Sequence, residues 1–199
     1  PLPPRDVLAH LKSRHVWSSG ASLRLIKEML IIHDLLRDAG VYAVPFKGPV
    51  LAVQAYGDVS LRTFRDEDFL VRRTDLRRAK DVLTGHGYVW LNRVPPAVED
   101  AYIRLGWEYS LGHPDRNRFV DLNSEIVPGY YSFSVDEDTL WSSLAEVTLE
   151  GRTVQTVGSE VLVLLLCAHG AKHAWDQLVW VMDLAGVVRR TPALDWDRL

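Results

Sequence analysis

Three aspartates in this chain have the residue type and spacing to do chemistry. Asp66 and Asp68 stand in the stretch "FRDEDFLV", and Asp121 stands in "RFVDLN". Alternate side chains of a strand point to the same face of a sheet, so we expect Asp66 and Asp68 to share one face and Glu67 to lie on the other. In "RFVDLN" two apolar residues alternate with Asp121 and Asn123, which predicts that this polar pair also shares one face.

If their two strands are neighbours in the sheet, these carboxylates form one candidate site. Asp66, Asp68 and Asp121 would then meet on one polar patch, where their like charges repel each other. A divalent cation among them relieves that repulsion, and hard oxygen ligands suit Mg²⁺, which commonly accompanies nucleotide phosphates. The pattern therefore predicts a site for Mg²⁺, with Mn²⁺ as the other candidate ion.

The stretch "VYAVPFKGPVLAVQAYG" adds a candidate phosphate site upstream. It predicts a strand, then a turn at Lys47 and Gly48, then a helix with Pro49 in its first turn. A glycine at this turn lets the backbone approach a phosphate closely, and the N-terminus of the helix attracts negative charge. The ammonium group of Lys47 would neutralise phosphate charge directly.

A plain structural interpretation of the same residues stays open at this point. Acidic residues before a strand are often solvated turn residues, and a lone "KG" pair is common in proteins. The metal and nucleotide interpretation gains weight from the combination of "KG", "DED" and "VDLN" along one chain.

The order of these motifs resembles the nucleotidyltransferases of the DNA polymerase beta-like superfamily, and within it an uncharacterised bacterial nucleotidyltransferase family with a lysine–glycine turn. The resemblance spans roughly residues 45 to 190 and includes the helical stretch "LCAHGAKHAWDQLVWVMDLAGVV". The matching residues are Lys47, Gly48, Leu51, Ala52, Tyr56, Arg62, Asp66, Asp68, Leu70, Val71, Asp75, Ala79, Gly87, Tyr88 and Asp121.

The resemblance implies roles for the residues in these motifs. Asp66 and Asp68 would bind two metal ions, which in such sites lie about 3.5–4 Å apart and clamp the attacking and leaving oxygens. Asp121 would bind the ion on the nucleophile side and assist deprotonation. Lys47 and Gly48 take the place of the superfamily's glycine–serine turn and would hold phosphate.

The implied activity is the Mg²⁺-dependent transfer of a nucleoside monophosphate from a nucleoside triphosphate, such as ATP, to a hydroxyl acceptor. The acceptor would be a small molecule, a peptide or protein side chain, or an RNA end. Two alternatives stay open: a catalytically weakened nucleotide-binding or regulatory module of the same fold, and a toxin of a toxin–antitoxin pair. Neither the base of the nucleotide nor the oligomeric state follows from the sequence.

Two departures from the family pattern indicate either a divergent substrate or the weakened module. Glu67 stands where the family usually has an apolar residue, and Asn123 stands where it often has a histidine. We expect Glu67 to face the packed side of the sheet with Arg62 or Arg65 as its partner, unless the strand begins one residue later. All three aspartates are present, which favours an active enzyme.

The helical stretch near the C-terminus adds further candidates for the nucleotide cleft. His169 and His173 are four residues apart and therefore share a helix face. Their sequence "HGAKH" lacks the glutamate that follows the first histidine in zinc protease helices, which disfavours zinc. We predict that His169 and Lys172 line the cleft and bind nucleotide together with Arg62.

Four other residues of that stretch are interpreted structurally. Trp175 and Trp180 are expected in the core rather than as platforms for a base. Asp183 is expected either as the buried partner of a basic residue or as an exposed residue. Cys167, the single cysteine, has apolar neighbours and is predicted to be a buried, inert thiol.

The elements that position these residues predict an α/β (α+β) fold, in which a nucleotidyltransferase-like mixed sheet lies between helices. We expect an N-terminal helical segment (1–40), a core (41–134) and a mainly helical C-terminal region (135–199). Strands are predicted at "VYAVPF", "DFLVRR" and "YVWLNRV", with an antiparallel pair in "YSLGHPDRNRFVDLNSEI". A helix is predicted from Thr74 as its N-cap, a short helix and a hairpin after residue 135, and one long helix from Ser159.

The composition limits which binding partners and which cellular location we expect. The chain has 23 Lys plus Arg and 26 Asp plus Glu, a formal charge of −3, which makes nucleic acid an unfavoured partner. The run Val161–Ala168 is the longest apolar one, and it is shorter than the ~20 residues that cross a bilayer. A cytoplasmic location without membrane contact is therefore expected. Motifs of P-loop, Rossmann and serine hydrolase proteins are absent from the sequence.

Overall fold

The computed structural model describes residues 3–106, 108–115, 118–126 and 135–198. Its helices are α1 (Arg5–Asp38), α2 (Gly48–Tyr56), α3 (Leu76–Gly85), α4 (Pro96–Arg104), α5 (Glu137–Ser142), α6 (Ser159–Lys172) and α7 (Leu178–Arg190). Its strands are β1 (Ala43–Pro45), β2 (Asp66–Val71), β3 (Val89–Trp90), β4 (Tyr109–His113), β5 (Arg118–Asn123), β6 (Leu144–Leu149) and β7 (Arg152–Val157). Short 3₁₀ turns at Val59–Leu61 and Arg73–Asp75 precede β2 and α3.

Five strands form one mixed sheet in the order β1-β2-β5-β4-β3, and β6 and β7 form a separate antiparallel hairpin. Strands β2 and β5 run parallel, whereas the other neighbours in the large sheet are antiparallel. The predicted α/β fold with a mixed sheet and flanking helices is therefore confirmed. The parallel pair matters most for function, because it brings "DED" and "VDLN" side by side.

Strand β2 lies in the middle of the packed structure and is buried on both faces. Phe69 and Val71 pack into a core beneath α1 and α3, whereas Leu70 between them packs into a second core with α6 and α7. Opposite faces of the strand thus need apolar residues at consecutive positions, which explains the continuous run "FLV". Packing on both faces fixes the position of β2 and of the acidic residues at its N-terminal end.

Several predicted elements are confirmed, and three features of the helices differ from the prediction. The N-terminal helix, the antiparallel pair β4–β5 and the β6–β7 hairpin lie where they were expected. Thr74 is not the N-cap of α3, because the 3₁₀ turn that contains it extends the chain to Asp75 before the helix begins. The expected long C-terminal helix is two helices, and α4 was not predicted.

The three-part division of the chain stays a prediction, since its boundary at residue 134 lies outside the described residues. No helix in the described ranges is both long and apolar enough to cross a membrane.

Candidate active site

The three predicted aspartates lie on one face of the parallel β2–β5 pair. The backbone of Asp68 is paired with that of Asp121, and Asp66 is paired with Phe119. All three carboxylates line one cavity of about 700 Å³. Asp66 is exposed at the start of the strand, whereas Asp68 is only 7% exposed. The predicted convergence on one polar patch is therefore what the structure has.

Desolvation and repulsion by Asp68 make the carboxyl groups of Asp121 and Asp66 hard to ionise. Burial, followed by the charge of Asp68, raises the pKa of Asp121 to about 7, although a hydrogen bond with Ser110 opposes that shift. Desolvation of its carboxyl group, followed by the charge of Asp68, also raises the pKa of Asp66, although the residue as a whole is exposed. A cation in this cavity would lower both values, because opposite charge favours the ionised form.

Lys47 supplies one such cation from the turn before α2. Its Nζ lies 2.8 Å from Oδ1 of Asp68, and both side chains are largely buried. Burial disfavours the charged ammonium, but Asp68 outweighs that effect and raises the pKa of Lys47 above its usual value. Lys47 therefore stays charged and faces the same cavity as the aspartates.

Gly48 begins α2 at a point where a larger residue would be strained. Its φ angle is +54°, in the left-handed region that favours glycine. A Cβ atom there would lie 3.2 Å from Oε2 of Glu67 and 3.5 Å from the carbonyl oxygen of Asp66. The turn thus packs tightly on β2, and Lys47 and Gly48 both line the cavity.

Glu67 faces the packed side of the sheet, as expected, and is 2% exposed. The predicted partnership with Arg62 is wrong, because Arg62 binds Asp183 instead, and within the described residues no ion pair joins Glu67 to Arg65. Its Oε1 has no hydrogen-bond partner among them either. Burial, followed by the charges of Asp68 and Asp66, raises the pKa of Glu67 well above its usual value. A later start of the strand is also excluded, since β2 begins at Asp66.

Arg62 lies on the cavity wall and forms a buried cluster with two other residues. Its Nε donates to Oδ1 and Oδ2 of Asp183 at 3.0 and 3.1 Å. The hydroxyl of Tyr56 donates to Oδ1 of Asp183 at 2.8 Å. Asp183 is fully buried, which confirms the first of its two predicted placements.

The wall opposite the aspartates consists of residues from α6, α7 and their connection. His169 and Lys172 line the cavity as predicted, together with His173 and Trp180. The rings of His169 and His173 lie 4.8 Å apart, and each lies about 5 Å from the ring of Trp180. Burial, followed by the charge of Lys47, lowers the pKa of His169 to about 3, so its imidazole is neutral.

The expectation that both tryptophans lie in the core is wrong. Trp180 faces the cavity, and Trp175 is 37% exposed at the connection between α6 and α7. The ring of Trp175 covers Gly170 so closely that a Cβ there would lie 2.5 Å from it. Ala174 and Trp175 both have φ near +53°, which reverses the chain and returns α7 to the cavity.

Other residues of the cavity were not among the predicted binding residues. Glu108 precedes β4 and lines both the main cavity and a small annex of about 50 Å³. Asn123 and Glu125 line that annex, two and four positions beyond Asp121. The alternation of polar and apolar residues in β5 indicates the position of Asn123, whereas the sequence around Glu108 has no pattern that indicates a site residue.

Cys167 is half-buried against an apolar core, and burial raises the pKa of its thiol.

The donor set of this cavity fits a hard divalent cation, although the present side-chain arrangement is that of an ion pair. Asp66, Asp68 and Asp121 offer only carboxylate oxygens, which Mg²⁺ prefers. Across the ranges that the structure describes, no group of three or more His, Cys, Asp or Glu side chains is arranged to hold a metal ion. The ammonium of Lys47 occupies Oδ1 of Asp68 instead.

The fold and the cavity define a nucleotidyltransferase-like protein. The chain belongs to the family described as "Uncharacterised nucleotidyltransferase", whose model matches residues 1–199. It is therefore an enzyme of the nucleotidyltransferase class, which confirms the predicted family. No curated protein matches the chain significantly in sequence.

Solved structures of antibiotic-modifying enzymes are similar to the chain in fold. The lincosamide antibiotic adenylyltransferase LnuA, solved with lincomycin bound, is 16% identical over 81% of this chain and 94% of its own, with a TM-score of 0.55. ANT(2")-Ia in complex with adenylyl-2"-tobramycin is 10% identical over 85% of this chain and 91% of its own, with a TM-score of 0.62. A solution structure of ANT(2'')-Ia gives 11% identity over 91% and 88%, with a TM-score of 0.57. At these identities the similarity shows the fold alone.

Proposed function

We propose that this chain transfers a nucleoside monophosphate from a nucleoside triphosphate to a hydroxyl group of a small-molecule acceptor. The observation that supports this most is the single cavity in which three carboxylates face Lys47, Arg62 and Lys172. Its volume of about 700 Å³ lies within the range of pockets that bind small molecules. Enzymes of the same fold were solved with lincomycin and with adenylylated tobramycin, which favours a small hydroxylated acceptor and an adenylyl donor.

The cations of the cavity fit the triphosphate. Lys47 and Gly48 would bind its phosphates at the N-terminus of α2, where backbone N–H groups and the helix dipole attract negative charge. Lys172 adds a further positive charge from the opposite wall. The ring surfaces of His169 and Trp180 are available for flat groups of either substrate.

Asp121 is proposed to take the proton from the acceptor. The carboxyl group of Asp121 lines the cavity beside Asp68, and a cation bound there would keep it ionised and able to accept a proton. The acceptor oxygen forms a bond to the α-phosphorus, the bond from the α-phosphorus to the pyrophosphate oxygen breaks, and the hydroxyl proton passes to the Asp121 carboxylate. Asp66, Asp68 and Asp121 would hold divalent cations, which supply charge stabilisation of the attacking and leaving oxygens.

Pyrophosphate release tests the proposal. The protein would be incubated with Mg²⁺ or Mn²⁺, each of the four nucleoside triphosphates and panels of lincosamides, aminoglycosides, other polyhydroxylated small molecules, peptides and RNA. We expect acceptor-dependent release with a small molecule, and a loss of about 10²–10⁴-fold in Asp121→Asn because the general base is removed. Transfer to a peptide or RNA alone would contradict the proposed acceptor. Nucleotide binding without release on any acceptor would favour the regulatory module.

A further inference from the structure

The cluster of Arg62, Asp183 and Tyr56 joins three separate parts of the chain beside the cavity. Tyr56 ends α2, Arg62 follows the 3₁₀ turn Val59–Leu61, and Asp183 lies on α7. Asp183 has no exposed surface, and the Arg62 side chain is 11% exposed. A buried carboxylate with these hydrogen bonds fixes its partners in one geometry, because leaving any of them unpaired is costly.

The cluster uses only part of the Arg62 guanidinium. Both hydrogen bonds that Arg62 makes to described residues come from its Nε. The same side chain lines the cavity with Lys47 and Gly48, and its charge partly opposes the rise in the pKa of Asp66. The two Nη nitrogens are therefore left for a ligand, and their planar arrangement matches the geometry of phosphate oxygens.

Close helix packing keeps Asp183 from moving. A Cβ on Gly186 would lie 2.6 Å from the carbonyl oxygen of Ala55, so α7 lies directly against α2 at this point. Gly186 is one turn from Asp183, and Ala55 precedes Tyr56. The carboxylate that holds Arg62 thus stands on the same packed pair of helices as the Gly48 turn.

We propose that Asp183 and Tyr56 are positioning residues that hold the Arg62 guanidinium so that its Nη nitrogens bind the triphosphate. This inference depends on the proposed function, since it assumes that a triphosphate enters the cavity. In a variant that lacks the Asp183 carboxylate, the change in charge and the change in orientation of Arg62 would have opposite effects on phosphate binding. Removing its negative charge beside Arg62 would strengthen phosphate binding by electrostatics alone, whereas losing the orientation of the guanidinium weakens it.

Binding of magnesium tripolyphosphate, measured by isothermal titration calorimetry, separates these effects without requiring the base or the acceptor. We expect Asp183→Asn to weaken binding about tenfold, as the loss of a charge-assisted hydrogen bond does. Tyr56→Phe should weaken it about twofold, and this milder variant provides the test if Asp183→Asn does not fold. Circular dichroism at the assay temperature establishes that each variant is folded.

Glu99→Gln is the matched control. Glu99 accepts hydrogen bonds from the hydroxyl of Tyr109 and from Lys80, both at 2.6 Å, so the same chemical change falls on a similar cluster outside the cavity. We expect its tripolyphosphate affinity to equal that of the wild type. A fall as large as that of Asp183→Asn would mean that loss of fold stability, not orientation of Arg62, weakens binding.

A double variant tests whether Asp183 acts through Arg62. Arg62→Lys keeps a positive charge but lacks Nε, so it should bind tripolyphosphate about tenfold more weakly than the wild type. Adding Asp183→Asn to this variant should cause no further loss, because the two residues act as a unit. Additive losses, or wild-type affinity in Asp183→Asn, would overturn the inference while leaving the proposed function intact. A wild-type protein that binds neither tripolyphosphate nor any nucleoside triphosphate would overturn both.

Discussion

Two clusters in this protein have the same chemical components and different surroundings. Near the cavity, Asp183 binds Tyr56 and Arg62; across the sheet, Glu99 binds Tyr109 and Lys80. In both clusters burial, followed by the hydrogen bond to the carboxylate, raises the pKa of the tyrosine. The clusters therefore offer a comparison in which the chemistry is held nearly constant.

The two clusters differ in the surroundings of their cationic side chains, Lys80 and Arg62. Lys80 lies 4.6 Å from the ring centre of Trp90 and 5.3 Å from that of Tyr109, so its charge is enclosed by aromatic rings and lines no part of the main cavity. Burial disfavours the charge of Glu99, but the hydrogen bonds from Lys80 and Tyr109 outweigh it and lower the pKa. Arg62 instead reaches the cavity with nitrogens left over. The cluster of Glu99 holds α4 against α3 and β4. The cluster of Asp183 is proposed to hold the Arg62 guanidinium in place for the triphosphate.

Lys47→Met tests the side of the comparison that faces the cavity and has the largest expected effect on stability. Removing Lys47 leaves Asp68 nearly buried without its partner, which should lower the free energy of unfolding by about 2–4 kcal/mol, given the usual cost of breaking a buried pair. Because a divalent cation offers the charge that Asp68 loses, Mg²⁺ should raise the melting temperature of this variant more than that of the wild type.

Thermal unfolding with Mg²⁺ and with matched ionic strength from NaCl measures both effects. An equal response of Lys47→Met and wild type to Mg²⁺ would show that the aspartates do not hold the ion. Asp121→Asn in the Lys47→Met background should reduce the response, since it removes one of the proposed ligands.

The local part of the candidate site was predictable from the sequence. Strand alternation indicates the shared face of Asp66 and Asp68, and a glycine between a strand and a helix indicates the turn at Gly48. The helix α4 was also within reach, because "PPAVEDAYIRLG" has a proline at its start and a glycine beyond its end.

The remaining parts of the site depend on contacts that no local pattern encodes. Asp183 and Arg62 are 121 positions apart, and only the packing of α7 on α2 makes them partners. The break between α6 and α7 has no proline or glycine at its strained residues, Ala174 and Trp175. The Trp175 ring lies on Gly170, five residues earlier, and this local contact has no such residue at the strained positions to signal it. For the same reason the position of Trp180 in the cavity could not be foreseen.

Glu99→Gln tests the stabilising side of the comparison and has the next largest effect on stability. The amide keeps the shape of the side chain but removes the charge that Lys80 and Tyr109 contact, at a site where Glu99 and Lys80 are each 12% exposed. The free energy of unfolding should fall by about 1–3 kcal/mol, while kcat and KM of the transfer reaction stay at wild-type values. Urea unfolding monitored by tryptophan fluorescence, together with the pyrophosphate assay, measures both quantities. A stable variant with altered KM would mean that this cluster also serves the cavity.

Glu67→Gln has the smallest expected effect and sharpens the contrast between paired and unpaired carboxylates. Unlike Asp183 and Glu99, Glu67 is a nearly buried carboxyl group whose Oε1 has no hydrogen-bond partner among the described residues. An amide of the same shape cannot carry the charge that burial and the neighbouring aspartates oppose, so we expect a gain of about 1 kcal/mol in the free energy of unfolding. Urea unfolding of this variant beside Glu99→Gln would give changes of opposite sign from the same chemical substitution. A loss of stability in both would show that the charge of Glu67 is also compensated, and that the structural contrast between them has no energetic counterpart.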